Sequence, residues 1–289
     1  MRAWVLVYAL LAAAGCTLVE PHSAGKSPLV PLSVSPESIT LEIFSAPAPR
    51  DDPQFAELWK LVDEQPLAAE LRRRLAANGM RAGLVGPEVP GVLAAALKVT
   101  DRRVDAQQRQ QMTLDPEGAV TLRVVHARSG KRVELAIGGM REQLSLLESA
   151  EGQTRGKTYH KAECRMALRA FNEADGRVRL ELTPELQYGE FKSHVRGNDG
   201  MMLWTQEREK RVFGELKLEP VLAAGQMLLV TCRPDQSSTA GHHFFTEAGG
   251  EREQTMLWVF RVARAAPDRA FYDGPDEDQT GTVSNDQDE

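Results

Sequence analysis

After residue 110 the apolar residues of this 289-residue chain recur at every second position, a spacing that a strand can bury on one face and a helix cannot. Residues 120–126 and 132–137 flank Arg128-Ser129-Gly130-Lys131, which predicts a hairpin closed by a glycine-containing loop. Ala162, Cys164, Met166, Leu168 and Ala170 alternate with polar residues up to a turn at 172–176. Val178, Leu180 and Leu182 then alternate with Arg179, Glu181 and Thr183, so this second hairpin has one apolar and one charged face. Residues 188–195 and 201–204 bracket Asn198-Asp199-Gly200, a strong turn signal. Further strands are predicted over 211–218, 226–232, 242–246 and 255–263. An antiparallel sheet or sandwich is the natural way to bury them.

The earlier residues carry a different period. Ile39, Leu41 and Ile43 alternate with Thr40 and Glu42, a half-buried strand. Asp52 can cap a helix with Pro53 at its first position, and Phe55, Leu58, Trp59 and Val62 recur along one face. Leu67, Leu71 and Leu75 place a second helix that stops at Asn78-Gly79. Residues 80–85 read as a strand and 89–97 as a short third helix. The expected fold class is therefore α+β: a strand-helix-helix-strand module over 38–105, then a β-rich antiparallel sheet or sandwich over 106–272.

Both ends have the composition of segments that do not join a core. Arg2 leads into an apolar run from Ala3 to Ala14 that falls short of the roughly 20 residues needed to span a bilayer, which predicts an export signal over 1–15. Residues 16–37, with Pro21, Pro28, Pro31 and Pro36 among serines, read as a tether. Residues 273–289 carry seven carboxylates and no Lys or Arg, and read as a disordered acidic tail. The whole chain has a formal net charge of −6, but without Arg2 and the tail it balances at 34 basic against 34 acidic residues. Such a body has no basic field with which to attract nucleic acid.

Motifs for chemistry fail on spacing or context. Gly152-Gln153-Thr154-Arg155-Gly156-Lys157-Thr158 has three residues between its glycines where a phosphate-cradling loop needs four, and it runs into strand alternation instead of a helix. His242 and His243 would point to opposite faces of a strand, and His160 with Cys164 has no matching second pair, so no metal site is expected. No G-x-S-x-G elbow is present. The expectation is a non-enzyme with no cofactor.

Two features point to contacts. Met201-Met202-Leu203-Trp204 is an apolar block directly after a turn, and Met201, Met202 and Trp204 are candidate partner-contact residues beside the alternative of core packing. Cys164 and Cys232 each lie in the apolar stripe of a predicted strand. In an oxidising compartment they could pair, but two free buried thiols are the preferred expectation.

Ala13-Ala14-Gly15-Cys16 resembles the lipobox of bacterial lipoproteins, in which the cysteine takes a diacylglyceryl group and becomes the first residue after cleavage. That resemblance implies lipid attachment at Cys16, and Thr17 after it implies the outer membrane. Ala12-Ala13-Ala14 also fits an ordinary peptidase cutting before Gly15, the alternative to lipidation. Residues 216–230 and 255–262 are faintly similar to the closing strands of secretins. The family's gate motif is missing, so the pore is not carried over. The chain as a whole resembles uncharacterised envelope lipoproteins, a class whose name implies no activity. The expectation is an exported, lipid-anchored envelope protein with a non-enzymatic binding or structural role and an envelope protein as a candidate partner. An accessory component of a secretion or pilus-like assembly and a motif-less envelope enzyme are the alternatives.

Overall fold

A computed structural model describes residues 38–48, 53–97, 120–150, 152–198, 201–233, 235–249 and 252–265. The expected leader, Cys16, the tether and the acidic tail lie outside the described residues. Two six-stranded antiparallel sheets organise the rest. The first runs in the order β2 (Met80–Val85), β10 (Met227–Cys232), β12 (Arg252–Arg264), β1 (Ser38–Pro47), β3 (Thr121–Arg128), with β11 (Thr246–Gly249) paired to β12. The second runs β4 (Val133–Ala136), β6 (Gln153–Asn172), β7 (Val178–Asn198), β8 (Met201–Val212), with β5 (Arg141–Ala150) on β6 and β9 (Val221–Leu222) on β7.

This overturns the expected α+β class with its separate N-terminal module. Strand accounts for 58% of the described residues and helix for 18%. β1 and β2, which were to share a small sheet, are kept apart by β10 and β12 from the far end of the chain. The reason lies in β1 itself. Ile39, Leu41 and Ile43 are buried on one face while Phe44 and Ala46 are buried on the other, as is Ala48 just beyond the strand. A strand buried on both faces needs covering layers above and below it, and two strands with two helices cannot supply them.

Alternate residues of β10 and β12 feed two cores. Leu228, Val230, Trp258, Phe260 and Val262 meet Met166, Leu168, Leu180 and Leu182 of the second sheet, which makes a sandwich. Met227, Leu229, Leu257 and Val259 face the other way, onto Leu58 and Trp59 of α1 (Pro53–Leu61) and Leu93 of α3 (Gly91–Ala96). Each such side chain, fully buried, contributes about 1.5–3 kcal/mol. α2 (Ala69–Ala77) packs Leu75 into the sandwich core beside β2. α1 and α2 lie where the helical period puts them, and α2 ends before Gly79, whose φ of +71° is the left-handed conformation that glycine adopts without strain.

Three local expectations are corrected. Residues 120–137 do not form a hairpin: β3 pairs with β1 and β4 with β6, so the turn at Gly130 carries the chain from one sheet to the other. β8 ends at Val212 and a 3-10 turn, Gly214–Leu216, replaces the rest of the strand expected over 211–218. His242 and His243 sit in a short helix, α4 (Ala240–Phe244), not in a strand. The Thr239 hydroxyl accepts from the His242 N–H at 3.5 Å, and a cap of this kind favours a helical start over strand alternation.

Both chain exits of the body share one end of the first sheet. Ser38 pairs with Arg128 and Thr40 with Arg264, so the start of β1 and the end of β12 leave side by side. Met227 and Val85 lie toward that end, and Cys232 and Met80 at the opposite one. There the Asn78 amide donates to the Ser149 carbonyl at 2.9 Å and its oxygen accepts from the Ser149 N–H at 2.9 Å, tying the tip of the β5–β6 hairpin to the start of β2.

At that junction α4 crosses the chain so closely that a Cβ on Gly241 would lie 2.0 Å from the Gly79 carbonyl oxygen. Helix propensity alone would favour Gly241→Ala by about 1 kcal/mol. The obstructing atom is backbone and cannot swing aside, so packing wins. Gly241→Ala is expected to lower stability by about 1–3 kcal/mol, seen as a lower urea midpoint with an unchanged slope.

Candidate functional site

A groove of about 520 Å³ opens at the free edge of β2, at the end of the sheet opposite the chain exits. That size falls within the range of roughly 300–1,000 Å³ common for small-ligand sites. α1 contributes Phe55 and Trp59, α2 contributes Arg72 and Leu75, and the chain after β10 contributes Arg233 and Asp235. Met80, Arg81 and Ala82 of β2 complete the lining together with Glu64 and Thr231.

The apolar wall is preorganised. Phe55 meets Trp59 edge to face with ring centroids 6.1 Å apart. The Arg81 guanidinium stacks 4.3 Å above the Trp59 ring while its Nε donates to Glu64 Oε1 at 2.5 Å. Arg81 is thus spent on protein partners. Arg72 and Arg233 are not: neither has an ion pair among the described residues, and the Arg72 Nε is buried with no hydrogen-bond partner. Trp59 is only 7% exposed, yet its indole N–H has no acceptor. A buried donor without a partner costs about 1–3 kcal/mol, so such groups mark a place where an acceptor is missing.

The edge of β2 is partly closed. Leu84 exchanges both its N–H and its C=O with Asp63, at 2.7 and 2.8 Å. By strand alternation Ala82 turns its own backbone groups to the same side. The groove therefore offers main-chain polar groups as well as guanidinium donors.

The residues singled out by sequence do not converge on it, with one exception. Met201, Met202 and Trp204 belong to β8, where they pair with Asn198, Gly197 and Val195, and their side chains lie outside the described residues. β6 stops pairing with β7 at Glu163 and Gln187, so beyond Gln187 the β7–β8 hairpin continues as a two-stranded arm of roughly 30 Å. Phe191 on that arm is 66% exposed. Cys164 and Cys232 are buried in different sheets and are not bonded to each other, and Cys232 lines the groove. Burial pushes the Cys164 thiol up to about 12.

The remaining motifs serve the architecture. His243 Nε2 donates to the Ser145 carbonyl at 2.8 Å and Nδ1 accepts from Arg141 at 2.7 Å, which fastens α4 to β5. The 152–158 stretch is the turn of the β5–β6 hairpin and the start of β6, with Gly152 at φ +75°. No group of three or more His, Cys, Asp or Glu among the described residues could hold a metal ion.

The outer face of the second sheet is a lattice of ion pairs. Glu185 is 2% exposed and accepts from Arg132 at 2.5 Å, while Glu134 takes Arg132 and Arg165 at 3.0 and 3.3 Å. Burial alone would raise the Glu134 carboxyl; the Arg132 hydrogen bond and the charges of Arg132, Arg165 and Lys210 outweigh it and hold the group below the usual carboxylate range. Opposite charges alternate here and pair with one another.

Comparison with known families, curated proteins and solved structures finds no match. The groove was not legible in sequence. Trp59 fits a core helix face equally well, Arg72 stands within Arg72-Arg73-Arg74, and nothing local to Arg233 connects it to either.

The buried ion pair gives a sharp expectation. Arg132→Met strands the Glu185 carboxylate and should cost about 3–5 kcal/mol, whereas Arg132→Met with Glu185→Leu should recover most of that loss in chemical denaturation. The thiols give another. In native protein at pH 8, Cys164 and Cys232 should resist alkylation, and after unfolding without reductant each should take a label in peptide mass analysis.

Proposed function

We propose that this chain is an exported protein, held at the cell envelope by a lipid on Cys16, whose body is a non-enzymatic binding module. One observation carries the reading: the body's chain exits, Ser38 and Arg264, and its groove lie at opposite ends of the first sheet. The chain before Ser38 therefore joins the body at the end remote from the groove.

The charge pattern agrees with binding more than with turnover. The groove brings together guanidinium donors and an aromatic wall, but no nucleophile with a base beside it. The nearest thiol, Cys232, is 3% exposed and hydrogen-bonded toward Phe245 and Thr255. The β7–β8 arm, with Met201, Met202 and Trp204 in its register, is the second surface at which an envelope protein partner would meet the module.

The anchor is tested first. Cys16→Ser should move the protein from the membrane fraction to the soluble envelope fraction, and intact mass of the wild-type protein should include the acyl chains. A wild-type mass without lipid overturns the anchor.

A further inference from the structure

We propose that the groove bounded by α1, α2 and the edge of β2 binds a small amphipathic carboxylate, whose charged end meets Arg72 and Arg233 and whose apolar part lies against Phe55 and Trp59. The proposal deepens the binding-module reading by giving its groove a ligand class.

Three observations select that class. First, charge: Arg81 is neutralised by Glu64, which leaves Arg72 and Arg233 against Asp235 and a lining one positive charge in excess. A single negative charge matches this lining, whereas a multiply charged phosphate would leave charge unmatched beside Asp235. Guanidinium forks also suit the planar, two-oxygen geometry of a carboxylate.

Second, the wall: Phe55 and Trp59 are fixed edge to face, and the Arg81 guanidinium stacks on the indole. A rigid aromatic surface beside a cationic mouth takes a molecule with one apolar and one charged part. A bare inorganic anion would leave that surface wet.

Third, availability: neither Arg72 nor Arg233 has an ion pair among the described residues, and Arg233, which lines the groove, is exposed, so its guanidinium is open to a bound carboxylate.

The probe is 4-phenylbutyrate, added to the ¹⁵N-labelled full-length protein while the indole N–H resonance of Trp59, identified by its loss in Trp59→Phe, is followed. Saturable movement of that resonance is expected. The amide isostere 4-phenylbutanamide, which has the same ring and no charge, should bind at least about tenfold more weakly, and so should Arg72→Gln with Arg233→Gln acting on 4-phenylbutyrate. Arg233 is exposed, so Arg233→Glu alone provides a folded variant with the same expected loss. Absence of saturation, equal binding of acid and amide, or undiminished binding by the arginine variants overturns the proposal. Because the titration needs no membrane, such a result leaves the anchor at Cys16 untouched.

Discussion

β10 and β12 are apolar on both faces, and the rest of the molecule is arranged to cover them. One set of their side chains requires the second sheet, and the other requires α1 and α3. Neither layer is optional: removing either one exposes a continuous row of Leu, Val, Phe and Trp side chains to water. β1 and β2, distant in sequence from both, flank the pair and make a sheet wide enough for each layer to rest on.

Local pattern showed the strands and helices better than it showed their neighbours. The alternation of Cys164 to Ala170 and of Val178 to Leu182 assigns the buried face of β6 and β7, because one residue of slip would expose all of it. α1 and α2 were legible from Leu58, Trp59, Leu71 and Leu75 for the same reason. Pairing was not legible. Residues 120–137 read as a hairpin because two alternating runs flank Gly130, yet the partners of those runs are β1 and β6, and only long-range burial decides that. His242 to Thr246 illustrates the converse, where a Thr239 cap and the tight fit of Gly241 on Gly79 override alternation. The groove was hidden because its residues come from four separate segments, each with an ordinary local role.

The second sheet divides its labour along its length. Near the chain exits β6 and β7 pair with each other and shield the sandwich core. Past Glu163 and Gln187 they part, β6 keeping company with β5 and β7 with β8. The two ribbons stay in contact at their roots through the Tyr159 and Tyr188 rings, 4.8 Å apart, with Lys157 over both. Tyr159 also donates to Glu148 at 2.9 Å, and burial followed by that hydrogen bond raises its phenol above its ordinary range. The β5–β6 ribbon is then fixed to Asn78 at its tip, while beyond Gln187 the β7–β8 ribbon pairs with no further strand among the described residues.

The side-by-side exit of β1 and β12 gives the body a mechanical character. A pull applied at Ser38 and resisted at the groove runs along the strands, because those two points lie at opposite ends of one sheet. β1 is held on one side by β12 and on the other by β3 over eight residues each, so the load falls on two ladders in shear, shared among many hydrogen bonds at once. The same pull across the strands would part them one bond after another. A load taken at the first residue of this central strand, along the strand's own axis, therefore falls where the sheet yields last.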